Sequence, residues 1–128
     1  MKDIRPATEK EKTLAKMAVV AASFAFGVED YEIMKAPRGN ERVYAARHTA
    51  YWLLRESGLT YCRIGAVMSK DHASAINGVK KVNIILELNL KTGFANCIRE
   101  AARHYREFYK RHKSKEKARM RREVADVI

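Results

Sequence analysis

Apolar residues recur at helical spacing along most of the chain, and the turns between these stretches are marked by capping residues, glycine and proline. Thr8 is placed to cap a first helix, with Glu11 at the capping-box position. Behind it Leu14, Met17, Ala18, Ala21, Phe24 and Val28 form one stripe, and Gly27 supplies a stop after about Phe26. Asp30 and Glu32 beside Tyr31, Ile33 and Met34 predict one or two further helical turns. Ala36-Pro37 ends them, because a residue before proline is pushed out of the helical region. The turn-rich segment 35–40 carries two bases and no large apolar side chain, so it belongs at the surface. Glu41–Glu56 then reads as a helix with Val43, Ala46, Ala50, Leu53 and Leu54 on one face and Trp52 on the other. A helix that is apolar on two sides is central, and Ser57-Gly58 closes it.

The stretch Thr60–Lys81, TYCRIGAVMSKDHASAINGVKK, holds two helices separated by a very short break. Thr60 can cap the first, in which Tyr61, Ile64, Val67 and Met68 share a face. After Ser69-Lys70, Asp71 can cap the second, whose Ala75, Ile76, Val79, Val82, Leu86 and Leu90 fall within one arc. Two helices and a tight turn make a helix-turn-helix candidate. Further on, Phe94, Ile98, Ala101, Ala102, Tyr105, Phe108 and Tyr109 form an amphipathic helix that closes the core or pairs with another subunit. The expectation is an all-α fold: a helix-turn-helix domain over 8–92 followed by a basic helical extension over 93–128.

Charge narrows the class of partner. The 128 residues include 26 Lys and Arg against 15 Asp and Glu, a net charge of +11, and a pI near 9.9. That balance is the footprint of a polyanion binder, although it does not separate DNA from RNA or acidic lipid. Bases dominate in KRHKSKEKARMRR, Lys110–Arg122, which reads as a solvated or frayed helix with a sequence-blind pull on phosphates. Cys62 and Cys97 have no CxxC companion, so neither a disulfide framework nor zinc is indicated, and a reducing cytoplasm is the expected compartment. The run Met17–Phe26 behind Lys10, Lys12 and Lys16 imitates a secretory signal. It is set aside because Asp3, Glu9 and Glu11 interrupt the basic segment and no A-x-A site follows; it is also too short to span a bilayer. No nucleophile–base spacing and no metal-ligand cluster is visible. The chain is therefore expected not to be an enzyme, with no cofactor, no membrane and no small-molecule substrate.

On the second helix of the pair, the side opposite the core carries Ser74, Asn77 and Lys81, with Lys80 at the flank. Ser and Asn can bond base edges, and Lys can take a guanine edge or a phosphate, when such a helix enters the major groove. Asp71 could accept from cytosine, but capping its own helix is the stronger expectation. Periodicity places His72 at the edge of the apolar arc near Ile76 and Val79, where packing is the ordinary role. Arg42, Arg47, His48 and Arg55 are the polar positions of the central helix.

The pattern Ile64-Gly65, Met68, Ser69, Lys70, Asp71-His72, Ala73-Ser74, Ala75-Ile76 and Lys80-Lys81 resembles the signature of the C-terminal DNA-binding domain of the bacterial replication initiator DnaA. The likeness covers roughly residues 10–90. It implies a Trp-repressor-like helix-turn-helix that reads duplex DNA at DnaA-box-type sites, in replication initiation or its regulation. By position Lys70, Asp71, His72, Ala73 and Ser74 match the family's base- and phosphate-contacting stretch, and Arg42 and Arg47 match arginines that hold backbone and minor groove. Lys35 and Arg38 lie in a loop that is basic in the family. The turn here is one residue shorter and lacks the family's glycines, Ala73 stands where a hydroxyl is usual, and Ala45 replaces an arginine. No G-x-x-x-x-G-K-[ST] occurs, so the ATPase module that accompanies this domain in initiators is not among these residues. On this reading Lys35, Arg38, Arg42 and Arg47 position the DNA backbone, while Lys70 to Ser74 with Asn77 and Lys81 face the major groove. A domain of this kind standing alone fits a phage or mobile element. The alternatives are an RNA-binding or ribonucleoprotein-associated protein, and a non-catalytic adaptor that meets replication proteins or a second copy through its last helix.

Overall fold

Thr8 opens helix α1 (Glu9–Phe26) with a reciprocal capping box. Its hydroxyl accepts the Glu11 N–H at 3.1 Å, and Glu11 Oε1 accepts the Thr8 N–H at 2.8 Å. Gly27, at φ 66°, takes the left-handed conformation that ends the helix. The structure is a computed structural model that describes residues 5–35, 40–88 and 93–127. Within them follow α2 (Asp30–Lys35), α3 (Glu41–Glu56), α4 (Tyr61–Met68), α5 (His72–Glu87) and α6 (Gly93–Val127). The protein is all-α, with no strand among the described residues. Arg38 and Leu90 lie outside the described residues.

Helix α3 is the hub, packing against every other helix. Asn40 caps it by accepting the Val43 N–H at 2.9 Å. Its buried positions include Val43, Ala46, Ala50, Leu53 and Leu54, as the periodicity predicts, and Tyr51 as well. Trp52, on the other side, is partly buried against the same core. Helix α1 is clasped between α3 and α6, and its alanines at 15, 18, 21 and 22 are all buried, letting two helices approach closely. Its buried arc runs through Ala15, Ala18, Ala22 and Phe26, so Phe24, expected in the core stripe, falls outside it. That ring is 68% exposed and touches α6 only at the edge, 6.0 Å from the His104 ring and 6.5 Å from that of Phe108.

The last helix closes the core, one of the two roles its apolar positions leave open. Its first half buries Ala95, Ile98, Ala101, Ala102 and Tyr105, with Tyr105 Oη 2.5 Å from Ser57 Oγ. The core therefore continues past residue 92, and a boundary drawn there cuts through it. The physical reason is α1, whose apolar residues face two ways and need α6 as their second cover. From Lys110 onward α6 continues as helix without interruption to Val127, and no residue from Lys110 to Asp126 is buried. No described helix is long and apolar enough to cross a membrane.

Candidate nucleic-acid interface

Two glycines set the geometry of α4, α5 and the turn between them. Thr60 caps α4, and the helix ends at Ser69, whose φ of 55° is left-handed. Lys70 then donates its N–H to Gly65 O at 2.9 Å, folding the turn back over α4. A Cβ on Gly65 would lie 2.6 Å from Lys70 O and 3.2 Å from the Asp71 carbonyl carbon, so only glycine admits this fold-back. At Gly78 a Cβ would meet Tyr51 Cδ2 at 2.7 Å and His48 Cδ2 at 2.8 Å; the Tyr51 and His48 rings of α3 therefore pack directly on the α5 backbone. Asp71 accepts the Ser74 N–H at 2.8 Å, the capping role its residue type favours.

With Ala75, Gly78, Val79 and Val82 pressed inward, the side chains of Asp71, His72, Ala73, Ser74, Asn77, Lys80 and Lys81 are all exposed, and Lys70 is half-buried in the turn. His72 does not pack at the edge of the apolar arc as its periodicity suggests. It is the first residue of the helix and is exposed. Beneath the helix, Tyr51 is 1% exposed and its hydroxyl has no hydrogen-bond partner among the described residues; burial pushes its ionisation up to about 12. His48 is pushed down to about 4, first by burial and then by the charges of Lys81 and Arg47, so at neutral pH it is an uncharged ring. Beside it Tyr44, Lys81, Ile85 and Phe94 line an open cavity of about 400 Å³ between α3, α5 and α6.

The arginines depart from the sequence reading. Arg47, expected at the DNA backbone, is 6% exposed. Its Nε donates to Ile33 O at 2.7 Å and its Nη2 to Glu32 O at 3.1 Å, with the guanidinium over the Tyr44 ring at 5.6 Å. The cause is α2, whose short span leaves its last carbonyls without helical donors; Arg47 supplies them and is thereby removed from the surface. Arg42 is exposed, yet Nη1 donates to Phe26 O at 3.0 Å at the end of α1. Arg55 similarly donates to Leu59 O at 3.0 Å and lies over Tyr61, 4.6 Å from the ring centroid. Lys35 is exposed at the end of α2.

A fourth arginine was not singled out by the sequence at all. Arg63 on α4 is 6% exposed and grips Glu11 at both carboxylate oxygens, 2.8 Å from Nε and 2.6 Å from Nη2. It also donates to the carbonyls of Arg5 at 2.9 Å and Pro6 at 3.0 Å. These hydrogen bonds hold the Glu11 carboxyl down at about 2. Glu11 thus closes the α1 cap and anchors the helix-turn-helix to the front of the molecule. The only signal for this was a base inside an otherwise apolar helical turn, and its partner lies 52 positions away.

Among the described residues no group of three or more His, Cys, Asp or Glu is placed to hold a metal ion. No protein-family model matches the chain, and no curated protein matches it either.

Proposed function

We propose that this protein binds duplex DNA with sequence selectivity through the outward face of α5, as a Trp-repressor-like helix-turn-helix of the DnaA box-reading kind, acting in replication initiation or its control. One observation carries the reading: α5 is locked at Gly65 and Gly78 so that its apolar side is used up, leaving an exposed polar face whose residue types suit base edges and phosphates. The net charge of +11 supplies the attraction that such a helix needs to approach a duplex. The N-terminal end of α5 enters the major groove, Ser74 and Asn77 bond base edges, and Lys81 and Lys70 flank them on phosphates. Asp71 stays with its cap, which leaves His72 as the side chain nearest the groove floor. Arg47 is not among the contacts proposed here; Arg42 and Lys35, both exposed, are left to position the DNA backbone. Such a target lies in the cytoplasm, and the fact that Cys62 and Cys97 are not joined in a disulfide is compatible with that compartment.

Anisotropy titrations test the reading directly. Ser74→Ala and Asn77→Ala should each cost about 1–3 kcal/mol on the preferred duplex and almost nothing on a random one. If both duplexes lose affinity equally, these residues position the helix and do not read sequence.

A further inference from the structure

The half of α6 that leaves the body sorts its charges by side. On one side of the projecting helix His112 and Lys113 lie 3.2 and 3.6 Å from Glu116, and Arg119 lies 3.8 Å from Glu123, so bases and acids largely cancel there. At about 100° per residue, Arg111, Lys115, Lys117, Arg121 and Arg122 fall on the opposite side. All five are exposed, and none has an acidic partner among the described residues. Between them stand only Ser114, Ala118 and Ala125, side chains short enough for the helix axis to come close to another surface.

Two features make this a fixed arm. The helix is unbroken from Gly93, and the packed first half has already formed the turns that cost most to nucleate, so the remainder only propagates. Lys, Arg, Glu, Ala and Met, which dominate it, are strong helix formers. The rotation of the basic side about the axis is consequently set by the body that carries α5. From Arg111 to Val127 the arm is about 25 Å long, roughly seven base pairs of duplex. An acidic membrane is a poorer fit, because no aromatic residue or leucine lies beyond Tyr109 to enter the bilayer interface.

We infer that the acid-free side of the α6 arm is a second duplex-DNA contact, which grips the phosphate backbone at a rotational phase fixed by the helix-turn-helix body. This rests on the DNA-binding reading above and extends it from one helix to a two-point grip. The test is anisotropy of the full chain on a 30-base-pair duplex that carries its preferred sequence, selected from a random pool, over a range of salt, with circular dichroism confirming equal helix content. K117Q/R121Q should bind about tenfold more weakly at 0.1 M salt and lower the log–log salt slope by roughly 2, whereas K113Q/R119Q, which removes the same charge from the acid-bearing side, should lose less than about threefold. Inserting two alanines after Lys110 turns the arm by about 200° and should reproduce the K117Q/R121Q loss; inserting seven nearly restores the phase and should restore most of the affinity. Equal losses from the two charge pairs overturn the sided contact. A two-residue insertion that binds as well as the unmodified chain, or a seven-residue insertion as weak as the two-residue one, overturns the fixed phase. If the unmodified chain binds no duplex, it is the DNA-binding reading that fails; if it binds, and Asn77→Ala weakens it while the arm variants do not, only this inference fails.

Discussion

Arg63 shows what single residues contribute here. A guanidinium so deeply buried is tolerable only because four short hydrogen bonds satisfy it, and removing it strands Glu11 in a half-closed site. Arg63→Ala is expected to lower the unfolding free energy by about 3 kcal/mol, measured by urea denaturation. The pH dependence separates into two windows. His48 has a folded-state value near 4 against the usual 6.5, so only the unfolded chain takes up its proton between these limits. Stability from that source is complete above pH 6.5 and falls as pH drops toward 4. Glu11 is lowered to about 2 from 4.5; its contribution is complete above pH 4.5 and is withdrawn as pH falls through 2. Thermal melts across pH should show His48→Gln flattening the upper decline and Glu11→Gln the lower; a His48 NMR titration centred near 6.5 would contradict the first. Ser69 holds a left-handed φ of 55° without being glycine. Ser69→Gly should therefore stabilise the protein by about 0.5–1 kcal/mol, and a lower melting temperature would show that the Ser69 side chain contributes more than its backbone costs.

At the level of elements, the turn between α4 and α5 is the part least able to absorb change. Gly65→Ala places a methyl 2.6 Å from a main-chain oxygen, so the turn must move. The expected cost is about 2 kcal/mol of stability together with weaker duplex binding, since α5 shifts with the turn. Unchanged binding in a destabilised variant would mean that the position of α5 is immaterial to the activity. Much of this architecture was legible beforehand because it is written locally. Thr8 with Glu11, Gly27, Thr60 and Asp71 act within four residues of themselves, and the apolar periods of α3 and α5 report directly on one face each. What was hidden depends on distant pairing. Arg47 looks like any exposed arginine until α2 presents bare carbonyls to it, and Arg63 until Glu11 arrives from the front of the chain. Phe24 was misplaced for a related reason: an alanine-rich helix buried on two sides does not announce the centre of its buried arc. The helical extension over 93–128 was also legible from its apolar period, but which of its two possible partners that period packs against depends on α1 and was not.

For the whole molecule, the fold joins a tightly packed helical body to a long charged arm. The buried residues of α1, α3, α5 and the first half of α6 form one core, and the helix-turn-helix is tied to it at Gly78 on one side and Arg63 on the other. A unit so fixed should bind without large rearrangement, so its affinity should follow salt in a simple log-linear way, with a slope near 0.9 per phosphate contact. A flat salt response would exclude phosphate contact as the source of affinity. Base reading by the exposed face of α5 is the narrower proposal, and selection of bound duplexes from a random pool is its sharpest test. The unmodified chain should enrich one short motif, and Asn77→Ala should lose preference at one or two positions of that motif. Recovery of no motif, or of an identical motif with Asn77→Ala and Ser74→Ala together, would contradict it.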